Sequence, residues 1–85
     1  MEYVSNYINQ FEFIDNDEEC KYLFILYDSC FEIKQYFCYS KQTKQHLGCM
    51  TYYFCRGESI DRLKPWISNK ALNYFNRILK NIVFA

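Results

Sequence analysis

Glycine and proline are nearly missing from this chain: Gly48, Gly57 and Pro65 are the only three, all in the second half. Neither glycine lies in a Gly-rich turn that opens a helix, so no phosphate-cradling loop is present. No Gly/Ser/Pro linker, low-complexity tract or internal repeat divides the sequence, and residues 1–85 read as one domain. Apolar runs of the ~18–20 residues that a membrane span needs are absent too. The start, MEYVSNYINQ, has neither the basic residues nor the apolar stretch of a secretory signal. The expectation is a cytoplasmic protein, in the host cell if the source is viral, with no membrane partner.

Chemical motifs are equally scarce. His46 is the only histidine, and no C-x-x-C pair accompanies it, so His46, Cys38, Cys49 and Cys55 lack the paired spacing of a structural zinc site. Any Cys with any His could suggest a nucleophile pair, but no orienting Asn or Asp can be assigned to one. The acids of 15–19 do not form a calcium loop, because a register starting at Asp15 lacks the central Gly and the acid at position twelve. No cofactor, metal or catalytic residue is expected. The five cysteines, an odd number without export information, read as free thiols serving as small core hydrophobes.

What the chain does contain is apolar surface: 51% of its residues are hydrophobic and 21% aromatic. Each buried Phe or Tyr removes about 150–250 Å² from water, which compensates for small size. A chain this short still leaves much of its surface exposed, so some aromatics must lie outside the core. Residue usage favours Phe, Tyr, Ile, Asn and Lys over Gly, Ala, Arg and Pro. Those residues have AT-rich codons, common in bacteriophages and mobile elements.

The expected fold is α+β: a small antiparallel sheet of three or four strands packed on a long C-terminal amphipathic helix. Ile67, Ala71, Phe75, Ile78 and Ile82, with Leu72, Leu79 and Val83, recur at helical spacing, predicting a helix from Pro65 to Val83 with Pro65 in its first turn. Ser59 can cap a short turn containing Ile60 and Leu63, which places Trp66 at an elbow. Aromatic, Ile and Cys residues predict strands near 20–27, 31–39 and 49–56, with Asp28-Ser29 as a tight connection. Tyr3, Val4, Tyr7 and Ile8 suit a short helix leading into an edge strand at Phe11 and Phe13. An all-α alternative rests on the heptad Leu23, Leu26, Cys30, Ile33, Phe37 and on Asp15 with Glu18 as a capping box.

Charge is balanced in total and polarised along the chain. Residues 1–32 carry eight acids against Lys21 alone, and the remainder carries nine bases against Glu58 and Asp61. Ordinary surface pairing between the two halves explains this, at about 0–1 kcal/mol per pair. A functional reading is that Asp15, Asp17, Glu18 and Glu19 project from a turn and dock on the basic surface of another protein, with Tyr3, Tyr7 and Trp66 as aromatic anchors. The alternative is a small nucleic-acid-binding or regulatory protein using Lys64, Lys70, Arg77 and Lys80 against phosphates, with sheet aromatics stacking bases. The opposed charges also allow a homodimer. Taken together, the residues point to a non-enzymatic, macromolecule-binding protein acting by surface blocking. The codon usage suggests a phage or mobile-element inhibitor of a host defence machine, of the anti-CRISPR or anti-restriction type.

Overall fold

Alternation between two faces governs residues 10–15, 20–26, 30–37 and 48–55. A computed structural model describes residues 10–28 and 30–82. Within them, four strands, β1 (Gln10–Asp15), β2 (Cys20–Leu26), β3 (Cys30–Phe37) and β4 (Gly48–Cys55), form an antiparallel meander in the order β1-β2-β3-β4. The register puts Phe11, Phe13, Tyr22, Phe24, Phe31, Ile33, Tyr52 and Phe54 on one face. That inner face carries the helix α1 (Asn69–Lys80). The α+β class and the four-stranded option are therefore present. The heptad reading fails because Leu23 and Cys30 lie on the outer face while Ile33 and Phe37 lie on the inner one. The suggested helix around Tyr3, Val4, Tyr7 and Ile8 lies outside the described residues.

The helix is shorter than its periodicity implies. It runs for 12 residues, Asn69–Lys80, and not from Pro65 to Val83. Ile60–Leu63 forms a 3-10 turn capped by Ser59, whose side chain accepts from the Asp61 N–H. The amides of Trp66 and Ile67 both donate to the Leu63 carbonyl at 2.9 and 3.1 Å, extending that turn around Pro65. Ser68 then adopts an extended backbone, and its hydroxyl accepts from the Ala71 N–H at 3.1 Å, which makes it the N-cap. Ile67 is buried and fits the helical spacing, yet it belongs to the turn.

Phe75 is the centre of the core. Its ring stacks on Phe24 at 4.8 Å and meets Phe31 and Phe54 edge-on at 4.9 and 5.3 Å. Ala71, Leu72 and Ile78 complete the buried stripe of α1, while Asn69, Lys70, Asn73, Asn76, Arg77 and Lys80 face solvent. The described residues measure only 18 Å across their thinnest direction, room for one sheet and one helix. No described helix or strand covers the outer face, where His46 lies against Tyr36 and Tyr39 against Lys21.

Candidate functional site

The acidic turn divides: Asp15 is internal, whereas Asp17, Glu18 and Glu19 are exposed. Asp15 is 1% exposed and ends β1 on the inner face. Its Oδ1 accepts from the N–H groups of Asp17 and Glu18 at 3.1 and 3.3 Å, and its Oδ2 accepts from the Ser68 hydroxyl at 2.5 Å. Asp15 thus organises the β1–β2 turn and anchors the start of α1, and the expectation that it projects from the turn is corrected. Asp17 is exposed but ion-paired with Lys70. Glu18 and Glu19 are exposed, with Glu19 in the left-handed region at φ 53°. The turn presents two carboxylates outward and two toward the helix.

A buried polar chain continues from that corner across the sheet. The Tyr22 hydroxyl accepts from the Ser68 N–H at 3.1 Å and from Gln35 Nε2 at 3.0 Å, and the Tyr52 hydroxyl donates to Gln35 Oε1 at 2.9 Å. Burial is the main cause that raises the Tyr22 phenol above its ordinary value, and hydrogen bonds from Ser68 oppose it. Gln35 is the one buried amide side chain among the described residues, and both its ends are satisfied.

The basic helix face is partly committed as well. Lys70 pairs with Asp17, whose hydrogen bond is the leading cause holding the lysine above its ordinary value. Lys64 lies 3.4 Å from Asp61, and Arg77 sits 5.9 Å from the Tyr74 ring centroid. Lys80 is exposed in the last turn. Tyr3 and Tyr7 lie outside the described residues. Trp66 is 54% exposed and rests against Tyr52, with ring centroids 6.1 Å apart.

The most open surface is one that charge does not mark. Strand β4 is an outer edge of the sheet, and its eight residues, GCMTYYFC, include no charge and no proline. The Tyr27 N–H donates to the Cys30 carbonyl at 2.8 Å, so the backbone groups of Cys30 face β2 and, by alternation, those of Phe31, Ile33, Gln35 and Phe37 face β4. Their partners on β4 turn inward, and Cys49, Thr51, Tyr53 and Cys55 turn their backbone groups outward. Three of the outward groups are covered: Arg62 donates to the Tyr53 carbonyl at 2.5 Å, the Glu58 carboxylate accepts from the Cys55 N–H at 2.6 Å, and the Glu58 N–H donates to the Cys55 carbonyl at 3.1 Å. The Cys55 amide is the main cause that holds the Glu58 carboxyl below its ordinary value. Cys49 and Thr51 remain as the uncapped stretch of the edge among the hydrogen bonds described. Around it stand Leu47 at 85%, Met50 at 45% and Tyr53 at 55% exposure, with Trp66 on the inner side.

Sequence reasoning named Trp66 but not Leu47, Met50, Thr51 or Tyr53. The available signal was an uncharged strand at the end of a meander, since the last strand of a meander is an edge unless something pairs with it.

The thiols also differ from the expectation of core hydrophobes. Cys20 is buried and Cys30 half-buried, while Cys38, Cys49 and Cys55 are exposed. His46 lies edge-on to Tyr36 at 4.7 Å. Cys49 and Cys55 stand near opposite ends of β4. Among the described residues no group of three or more His, Cys, Asp or Glu is placed to hold a metal ion, and no helix is long and apolar enough to cross a membrane. No protein-family model matches the chain, and neither a curated protein nor a solved structure is significantly similar to it.

Proposed function

We propose that this protein is a non-enzymatic binding module whose contact surface is the β4 edge, and that it takes an extended segment of another protein as a fifth strand. The carrying observation is the uncapped, uncharged stretch around Cys49 and Thr51, flanked by exposed Leu47, Met50, Tyr53 and Trp66. Unpaired backbone groups on an edge recruit an extended chain, and alternate side-chain contacts select it. A segment lying there would set apolar side chains against Met50 and Trp66 on the inner side and against Tyr53 on the outer. Edges not meant for pairing carry lysine, proline or a bulge; this stretch carries no lysine or proline, whereas its far end is closed by Arg62 and Glu58.

The binding class expected from composition is retained, and the contact surface moves from the acidic turn to the neutral strand. Surface blocking of a host defence machine, the role suggested by codon usage, would act through this same edge. Co-expression with nuclease-based defence systems tests that role. The basic helix is the weaker surface for phosphate, because Lys70 and Lys64 already face carboxylates.

The deciding experiment is affinity capture with three baits, the wild type, Thr51→Pro and Glu18→Gln/Glu19→Gln, with and without nuclease. Proline is tolerated where an edge N–H points to solvent. A protein captured by the wild type and by the Glu18/Glu19 variant, and lost with a folded Thr51→Pro bait, supports the proposal. Equal capture by Thr51→Pro overturns it, as does nuclease-sensitive nucleic acid as the only captured species.

A further inference from the structure

Cys30 and Cys55 are direct partners in the β3–β4 register. The bonding phase decides what that means. The Cys30 carbonyl is taken by the Tyr27 N–H across β2, and the Cys55 N–H is taken by Glu58 outside the sheet. Neither residue therefore spends these groups on the other, and the pair occupies a position without mutual hydrogen bonds. At such positions Cα atoms are about 4.5 Å apart and side chains approach most closely. That separation falls within the roughly 4.4–6.8 Å window a disulfide requires. Both side chains are on the outer face, with Cys30 half-buried and Cys55 exposed.

The other cysteines lack this geometry. Cys49 stands opposite Tyr36, and Cys20 opposite Phe37 on the inner face. Cys38 follows in the left-handed region at φ 55°, outside the strand. A second observation agrees with the register: burial raises the Cys30 thiol above its ordinary value first, and the neighbouring Cys55 thiol raises it further.

We infer that Cys30 and Cys55 form a reversible cross-strand disulfide, driven by a hydroperoxide and reversed by a dithiol. The exposed Cys55 thiolate attacks hydrogen peroxide, breaking the O–O bond and gaining one oxygen as a sulfenic acid. The hydroxide that leaves takes up the proton the thiol had released and becomes the first water. The Cys30 thiol then attacks that sulfur, forming the S–S bond and expelling the second water. Two thiols lose two hydrogens, and one peroxide becomes two waters. A dithiol returns the hydrogens and becomes a disulfide itself. The bond closes the whole β3–β4 connection into a loop, which removes freedom from the unfolded chain. It operates without reference to what docks on β4.

The test uses the full chain bearing Cys38→Ser and Cys49→Ser, both exposed positions, so that Cys20 is the one bystander thiol. After hydrogen peroxide, intact mass should fall by two hydrogens, and peptide mapping should join Cys30 to Cys55. The melting temperature should rise by about 10 °C, and a dithiol should restore both mass and melting. Adding Cys55→Ser should abolish the mass loss and the melting shift together. A product carrying only added oxygen, a link through Cys20, or a predominantly intermolecular disulfide overturns the inference.

Discussion

The corner where β1 turns into β2 and the edge formed by β4 treat polar groups in opposite ways. At the corner, Asp15 uses both carboxyl oxygens, Ser68 uses its hydroxyl and its amide, and Tyr22 and Gln35 pass the hydrogen bonding across the sheet to Tyr52. Along β4, Cys49 and Thr51 turn backbone groups outward beside exposed Leu47 and Met50. Half of the charged segment, Asp15 and Asp17, is absorbed in holding the molecule together, and the neutral segment is left facing outward. Charge in a small domain marks a partner only after its internal uses have been subtracted.

The sharpest way to break the contrast is at the corner. Asp15→Ala strands two backbone donors and the Ser68 hydroxyl in a mostly buried site, and should cost about 3 kcal/mol, read by denaturant unfolding. The double variant Asp15→Ala/Ser68→Ala should cost clearly less than the sum of the singles, because the two share one hydrogen bond. Next in size is Gln35→Leu, which removes a partner from both Tyr22 and Tyr52 and should cost about 1–2 kcal/mol in the same measurement. At the open edge the expectation reverses. Met50→Lys should change stability by under about 0.5 kcal/mol, yet weaken capture of a strand-adding partner at least tenfold in a titration.

The smallest effect sharpens the boundary between the closed and open parts of β4. Glu58 has a depressed carboxyl because it accepts the Cys55 N–H. Its contribution is complete above the ordinary value of 4.5 and is lost as pH falls through the lower folded value. The stability difference between wild type and Glu58→Gln should therefore be measurable at neutral pH and vanish below that window. A difference that persists in acid would show that Glu58 acts through packing.

The sheet was legible because aromatic and β-branched residues alternate through 20–26, 30–37 and 48–55, and because the links between them are short. The helix was overextended for a physical reason: Ile67 occupies a helical position by spacing while belonging to the turn around Pro65. In the all-α alternative, Asp15 with Glu18 forms the capping box of a helix. Half of that was correct, since the Asp15 carboxylate does accept the Glu18 amide, but Glu19 then turns left-handed and a strand follows. The exposed thiols were misjudged because alternation alone does not say which face of a sheet is covered. The open edge required the strand order, a property of the pairing and not of any one segment.

Ser68 links the cap of α1 to groups on β1 and β2, and Asp15 lies 53 residues away from it in the chain. The meander pairs neighbouring hairpins, whereas Ser68, besides capping the helix locally, joins its first turn to β1 and β2 across this long separation. A 12-residue helix is marginal on its own, so α1 depends on its packing against the sheet. In hydrogen exchange the amides of Ala71 and Leu72 should open together with those of β2, as one cooperative unit.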